Sequence, residues 1–166
     1  MCIRDSSKLV GWRLNFQRTY STVERSRPYG VPVIIVGGIT VGGTGKTPVL
    51  LSLGSFLIKE GYKIGVISRG YCGSFGTGPH WVESSDSPAF TGDEPLLIRR
   101  KLNAPVVICR DRKRALDSLV TQKNIDIVLS DDGLQHYAMG RDIEIAVIDG
   151  KRRFGNSLTF PAGPLR

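Results

Sequence analysis

The residues best suited to do chemistry sit in Val36–Pro48, which reads VGGITVGGTGKTP. The apolar run Val31–Val36 leads into it, and Thr47-Pro48-Val49-Leu50-Leu51 can open a helix after it. A glycine loop between a buried strand and a helix N-terminus cradles phosphate: successive backbone amides converge on the anion and the helix dipole adds a favourable field. Gly45-Lys46-Thr47 fits the nucleotide-binding pattern, with the lysine reaching the outer phosphates and the threonine offering its hydroxyl to magnesium. The first glycine of that pattern would fall at Thr40, and Gly42 and Gly43 supply the backbone freedom that position gives up. The candidate nucleotide-binding set is therefore Thr40, Val41, Gly42, Gly43, Thr44, Gly45, Lys46 and Thr47. A dinucleotide fingerprint starting at Gly43 fails, because it requires a glycine where the chain has Pro48.

A second signal is IDIVLSDDGLQH, where an apolar run from Ile125 ends in Ser130-Asp131-Asp132. Carboxylates at the C-terminal end of a parallel strand stand in the crevice where such sheets bind ligands. Two adjacent acids need compensation when buried together, and a cation between them and the phosphates supplies it. With Thr47, Asp131 and Asp132 form the candidate magnesium ligands. A third candidate is Gly92-Asp93-Glu94-Pro95, with Asp93 placed like an N-cap and both acids favouring the helix dipole. The basic residues Arg99, Arg100, Lys101, Arg110, Arg112, Lys113 and Arg114 read, on spacing alone, as a solvated face.

Alternating apolar runs and helical patterns must position these groups. Strands are predicted at Val33–Val36, Ile64–Ser68, Pro105–Cys109, Ile125–Ser130 and Ile143–Asp149, with a short one at His80–Glu83. Helices are predicted at Pro48–Glu60, Gly92–Leu102 and Arg110–Thr121, with Gly61 suited to a C-terminal cap. This alternation implies an α/β fold, a P-loop NTPase-like parallel sheet flanked by helices with right-handed crossovers. The segment Arg69–Thr91 reads as a long excursion, and Gly150–Arg166 shows no periodicity. Residues 1–30 stand apart from the domain of residues 31–166. Met1–Ser7 carries no pattern, and Ser26–Gly30 reads as a linker. Between them Leu9, Trp12, Phe16, Tyr20 and Val23 form one helical stripe, with Arg13, Arg18 and Arg25 off it. Such a stripe either packs on the domain's own core or lies in a membrane interface.

The chain's 166 residues suit one domain with a sizeable core, and its net charge of +8 points to an anionic partner. Nucleic acid, a phosphorylated small molecule and an acidic membrane surface all satisfy charge alone. Cys2, Cys72 and Cys109 are odd in number and widely spaced, which suggests neither a disulfide framework nor a zinc site.

The ordered set ITVGGTGKTP, SRGY, GDEP, SDDGLQH, RDIEIAVIDG, FGN and PAGPLR resembles the tetraacyldisaccharide 4′-kinases, the lipid A 4′-kinases of Gram-negative bacteria. The resemblance covers about Val31 to Arg166 and implies γ-phosphate transfer from ATP, with Mg²⁺, to the 4′-hydroxyl of an acylated glucosamine disaccharide 1-phosphate. It places this lipid A biosynthesis step at the cytoplasmic face of the bacterial inner membrane. The implied partners are that glycolipid and an anionic membrane surface, not nucleic acid, which favours the membrane reading of the Leu9–Val23 stripe. It implies Asp93 as the residue taking the hydroxyl proton with Glu94 in support, Lys46 and Thr47 on the phosphates and metal, and Asp131 and Asp132 on Mg²⁺. Gln135 and His136 complete that cluster, and Arg112 and Arg166 match basic positions assigned to phosphate contacts. The family usually carries asparagine at Gly38 and often glycine at Cys72. It continues into a second domain of similar size after PAGPLR, so this sequence is expected to be an N-terminal fragment with an incomplete site. Two other classes stay open: a nucleotide-switched membrane-associated ATPase, against which Val41 stands where such proteins often carry a second lysine, and a non-catalytic nucleotide or membrane binder.

Overall fold

A computed structural model describes residues 30–136 and 139–166, so the Leu9–Val23 stripe lies outside the described residues. The elements run β1 (Val33–Gly38), α1 (Lys46–Lys59), β2 (Ile64–Ser68), β3 (His80–Trp81), α2 (Pro88–Thr91), α3 (Asp93–Leu102), β4 (Val106–Ile108), α4 (Arg112–Gln122), β5 (Ile127–Asp131) and β6 (Ile143–Val147). They form one six-stranded sheet in the order β3-β4-β2-β5-β1-β6. Every neighbouring pair is parallel except the β3–β4 edge. The α/β fold expected from the alternation is the fold observed.

The apolar runs are continuous because both sheet faces are covered, and successive side chains serve opposite faces. Ile34, Val36, Ile64, Val66 and Leu129 pack with Leu50 and Leu57 of α1 and Leu96, Ile98 and Leu102 of α3. Val33, Ile35, Ile67, Val107 and Val128 pack with Ala115, Leu116 and Leu119 of α4. Gly54 has a packing role inside α1: a Cβ there would stand 2.7 Å from Leu102 Cδ1, so its absence lets α1 and α3 approach.

Several element ends differ from the sequence reading, each for a local reason. β1 continues to Gly38 because β6 pairs alongside it that far, Gly38 opposite Val147. α1 begins at Lys46, which leaves Pro48 still in the first turn, where its missing N–H costs nothing. Asp93 is not the N-cap of α3. Gly92 is, at φ 89° and ψ 154°, and a Cβ on it would stand 2.6 Å from Tyr71 O. The excursion after β2 is folded rather than open: α2 closes it, with Ser74 and Phe75 donating their amides to Ala89 O and Phe90 O over a buried Phe75.

The unperiodic tail is ordered by turns and returns to the glycine loop. Val41 N donates to Pro164 O (2.7 Å), Arg166 N donates to Ile39 O (2.9 Å), and Thr40 bridges Leu165. Asn156 holds the tail's own bend, its amide donating to Ala162 O (2.9 Å) and its Oδ1 accepting from Leu158 N (3.1 Å). Among the described residues no helix is long and apolar enough to cross a membrane.

Candidate active site

The parallel strands β1, β2 and β5 finish side by side, with Val36 opposite Asp131 and Ile67 opposite Ser130. Above these ends opens a cavity of about 830 Å³, at the carboxyl edge where an open α/β sheet binds ligands. Its wall on the β1 side is the glycine loop Gly42–Thr47 and Pro48. Gly42 at φ 108° and Gly45 at φ 79° adopt backbone that side chains disfavour, which turns the loop so that α1 points its N-terminus at the cavity.

Across the cavity stand Asp131 and Asp132, and the loop lysine joins them. Lys46 Nζ lies 3.1 Å from Asp132 Oδ2, and Arg166 Nη1 lies 2.7 Å from the same oxygen. Asp132 reaches this geometry in the left-handed region, at φ 49°. Burial alone would raise its pKa, but the hydrogen bond from Arg166 and the charge of Lys46 outweigh burial and hold the carboxyl below its ordinary value. Asp131 goes the other way. Its side chain is buried, with Oδ2 accepting from Ser68 Oγ at 3.1 Å. Desolvation and the nearby charge of Glu94 push it up to about 6, against the opposing pull of Ser68 and Arg112.

Arg112 is not on a solvated face; it is buried beneath the acidic turn. Nη1 donates to Ser130 Oγ (3.0 Å) and to Asp131 O, and Nη2 donates to Asp132 O (2.8 Å). These bonds commit the guanidinium to the backbone of the carboxylates, while one edge still lines the cavity. Other basic residues also serve the fold: Arg99 Nε donates to Val82 O at 3.1 Å and Arg100 Nη2 to Ser84 O at 2.9 Å.

Three oxygens at the site are buried without a hydrogen-bond partner, namely Thr44 Oγ1, Asp131 Oδ1 and Asp132 Oδ1. An unpaired buried polar group costs about 1–3 kcal/mol. Two orphaned carboxylate oxygens beside a phosphate loop fit a hard cation such as Mg²⁺, which takes one or two carboxylates and completes its shell with phosphate and water. Among the described residues no cluster of three or more His, Cys, Asp or Glu suited to a metal occurs. Thr47 Oγ1, the third expected ligand, lies on the same wall and donates to Glu94 Oε1 at 3.3 Å.

The cavity thus brings together Gly42, Gly43, Thr44, Gly45, Lys46, Thr47, Glu94, Arg112, Asp131, Asp132, Gln135, His136 and Arg166. Gln135 Nε2 donates to Gly38 O at 3.3 Å, and burial, then the charge of Arg112, holds His136 below its ordinary pKa. Thr40 and Val41 are placed differently from expectation. They pair with the tail rather than line the cavity, because Val41 gives its amide to Pro164. Asp93 is exposed on the first turn of α3, one residue from Glu94 and outside the lining. Ser68, Arg69 and Tyr71 of SRGY line the site without having been given a role, and Arg110, read from spacing as part of a solvated face, lines it too. Ser68 ends β2 as Asp131 ends β5, so the strand-end rule that found the carboxylate could have found the serine.

A sequence profile of the family described as tetraacyldisaccharide-1-P 4′-kinase matches residues 6–166. The tetraacyldisaccharide 4′-kinase of Legionella pneumophila (strain Corby) is 49% identical over 138 residues, covering 83% of this chain and 43% of the relative. That of Idiomarina loihiensis is 48% identical over 162 residues, covering 95% of this chain and 49% of the relative. A crystal structure of LpxK from Aquifex aeolicus, described as an "apo" form in complex with ATP, superposes with a TM-score of 0.78 at 30% identity, over 99% of this chain and 54% of that one. The chain spans about half the length of these relatives. Matched over residues 6–166, a span that holds the glycine loop, the acidic turn and the returning tail, the chain belongs to the tetraacyldisaccharide-1-P 4′-kinase family.

Proposed function

We propose that this chain carries the ATP-binding part of a kinase that phosphorylates the 4′-hydroxyl of a tetraacylated glucosamine disaccharide 1-phosphate in lipid A biosynthesis. The observation carrying this reading is the convergence of Lys46 and Asp132, 3.1 Å apart, between a glycine loop and two orphaned carboxylate oxygens. The amides of Gly42–Thr47 bind the triphosphate and Lys46 takes its outer phosphates. Asp131, Asp132 and Thr47 are the residues that would hold Mg²⁺, which when bound neutralises charge developing on the phosphates.

In the transfer, the acceptor oxygen bonds to the γ-phosphorus as the bond to the β–γ bridging oxygen breaks, leaving ADP. The hydroxyl proton goes to Asp93, supported by Glu94, once the acceptor brings its oxygen within reach. Arg166, Arg112, Gln135 and His136 line the cavity, and we assign them to the acceptor because a basic wall suits a phosphorylated sugar. The acylated substrate and the net charge of +8 support action at an anionic membrane surface, the cytoplasmic face of the inner membrane.

The test places this chain in a protein of its relatives' full length and follows transfer of labelled γ-phosphate to the disaccharide 1-phosphate. Lys46→Ala is expected to reduce turnover about a hundredfold or more, as removal of other transition-state electrostatic stabilisers does. Undiminished transfer by that variant overturns the assignment, and phosphate release without any acceptor points instead to an ATPase.

A further inference from the structure

After the acidic turn, the chain carries Gln135 and His136 along the cavity wall before it enters β6. Leu134–His136 lie outside the helices and strands, with His136 N donating to Gly133 O at 3.0 Å and Gln135 Nε2 to Gly38 O at 3.3 Å. One guanidinium braces their carbonyls. Arg141 Nη1 donates to Leu134 O at 3.2 Å and Nη2 donates to His136 O at 2.9 Å, so the two bonds bracket Gln135. Nη1 also meets Glu144 Oε1 on β6 at 2.7 Å, which ties the guanidinium to the sheet. The arginine side chain is only 11% exposed. The next residue, Asp142, secures the same corner by accepting from Val33 N at 2.9 Å.

We infer that Arg141 is a positioning residue that acts through the backbone of Leu134–His136 to hold Gln135 and His136 toward the bound substrates. The inference rests on the proposed kinase reading for what those two side chains face, but the clamp itself is a matter of geometry. The guanidinium reaches these three acceptors from two nitrogens fixed in one plane, whereas a lysine keeps the charge but must serve them from one nitrogen. Leu134 adds a second anchor, since its side chain fills the space over Gly37 that a Cβ would occupy at 2.7 Å.

The chain has two histidines, which makes the test direct. His80 lies on the edge strand β3, paired with Asp86 at 3.0 Å, and serves as the internal control for His136 in ring-carbon NMR of the whole chain. Arg141→Ala is expected to move and broaden the His136 ring signals and the Gln135 side-chain amide while His80 stays in place. Affinity for Mg²⁺–ATP should stay within about twofold, because the clamp's bonds run to Leu134, His136 and Glu144. Arg141→Lys should behave as the alanine variant does, and Glu144→Gln should shift His136 in the same direction by less. Unchanged His136 and Gln135 signals in Arg141→Ala, or full restoration by lysine, overturns the inference. Should Arg141→Ala fail to fold, Arg141→Lys and Glu144→Gln decide: His136 unmoved in both is a refutation. Failure of the wild-type chain to bind Mg²⁺–ATP would count against the kinase reading and leave this measurement intact.

Discussion

Asp132 holds two cations on one oxygen and leaves the other oxygen without a partner. That division suits a carboxylate that trades partners when a triphosphate arrives. On the proposed kinase reading, Lys46 would turn to the phosphates and a metal would take up the orphaned oxygen. In the absence of metal the carboxylate would both hold Lys46 and repel the nucleotide. Asp132→Asn should therefore strengthen ATP binding in EDTA by about tenfold, the effect of roughly 1.4 kcal/mol, and abolish most of the gain that Mg²⁺ produces in the wild type. Asparagine is the suitable replacement because it tolerates the left-handed backbone at φ 49°. Calorimetric titrations with and without Mg²⁺ measure both quantities, and an unchanged Mg²⁺ dependence in the variant contradicts the exchange. Cys72, at φ 63°, sits in that same region, a backbone that favours glycine.

At the scale of elements, the strands and helices were legible because burial on both sheet faces writes continuous apolar runs, and Gly61 and Pro48 punctuate α1 where backbone geometry demands. The glycine loop and the Asp131-Asp132 turn were legible because strand ends and phosphate cradles have local signatures. Arg112 was not. A buried arginine and a solvated one look alike in a basic run, and only the fold brings the carbonyls of Asp131 and Asp132 within its reach. The tail was illegible for a related reason: its order comes from side-chain and turn contacts that have no period. Its glycines bear the constraint. A Cβ on Gly163 would stand 2.1 Å from Asn156 Oδ1 and 2.4 Å from Leu158 O, and the latter is backbone that cannot swing aside. Gly163→Ala should open the tail locally at a cost of about 2 kcal/mol, making cleavage after residue 150 roughly thirtyfold faster under limited proteolysis. The sheet, packed elsewhere, should keep its melting temperature within a few degrees. ATP affinity should fall as Arg166 leaves Asp132. Proteolysis unchanged from wild type would show that the tail is not held as described.

At the scale of the whole molecule, the site sets how stability depends on pH. Asp132 has a folded pKa below its ordinary value, so it contributes stability that is present above the unfolded pKa of 3.8 and lost as pH falls. His136, held neutral by burial, likewise disfavours the folded state once acid charges it, below its unfolded value of 6.5. Asp131 opposes both. Its folded pKa of about 6 exceeds 3.8, so the folded state binds the proton more tightly, and stability falls as pH rises from about 4 through 6. At 1.36 kcal/mol per pKa unit the penalty is about 3 kcal/mol above pH 6, for a side chain only 2% exposed. Asp131→Asn removes that penalty while keeping an oxygen for Ser68 to donate to. In metal-free buffer the variant should therefore melt several degrees above the wild type at pH 8 and together with it near pH 4. Added Mg²⁺–ATP should reverse the order, since the wild type gains binding free energy that the variant has lost. Thermal melts at the two pH values, with and without Mg²⁺–ATP, decide the matter. A variant no more stable than wild type at pH 8 would mean that the carboxylate is already neutralised within the fold and does not await a cation.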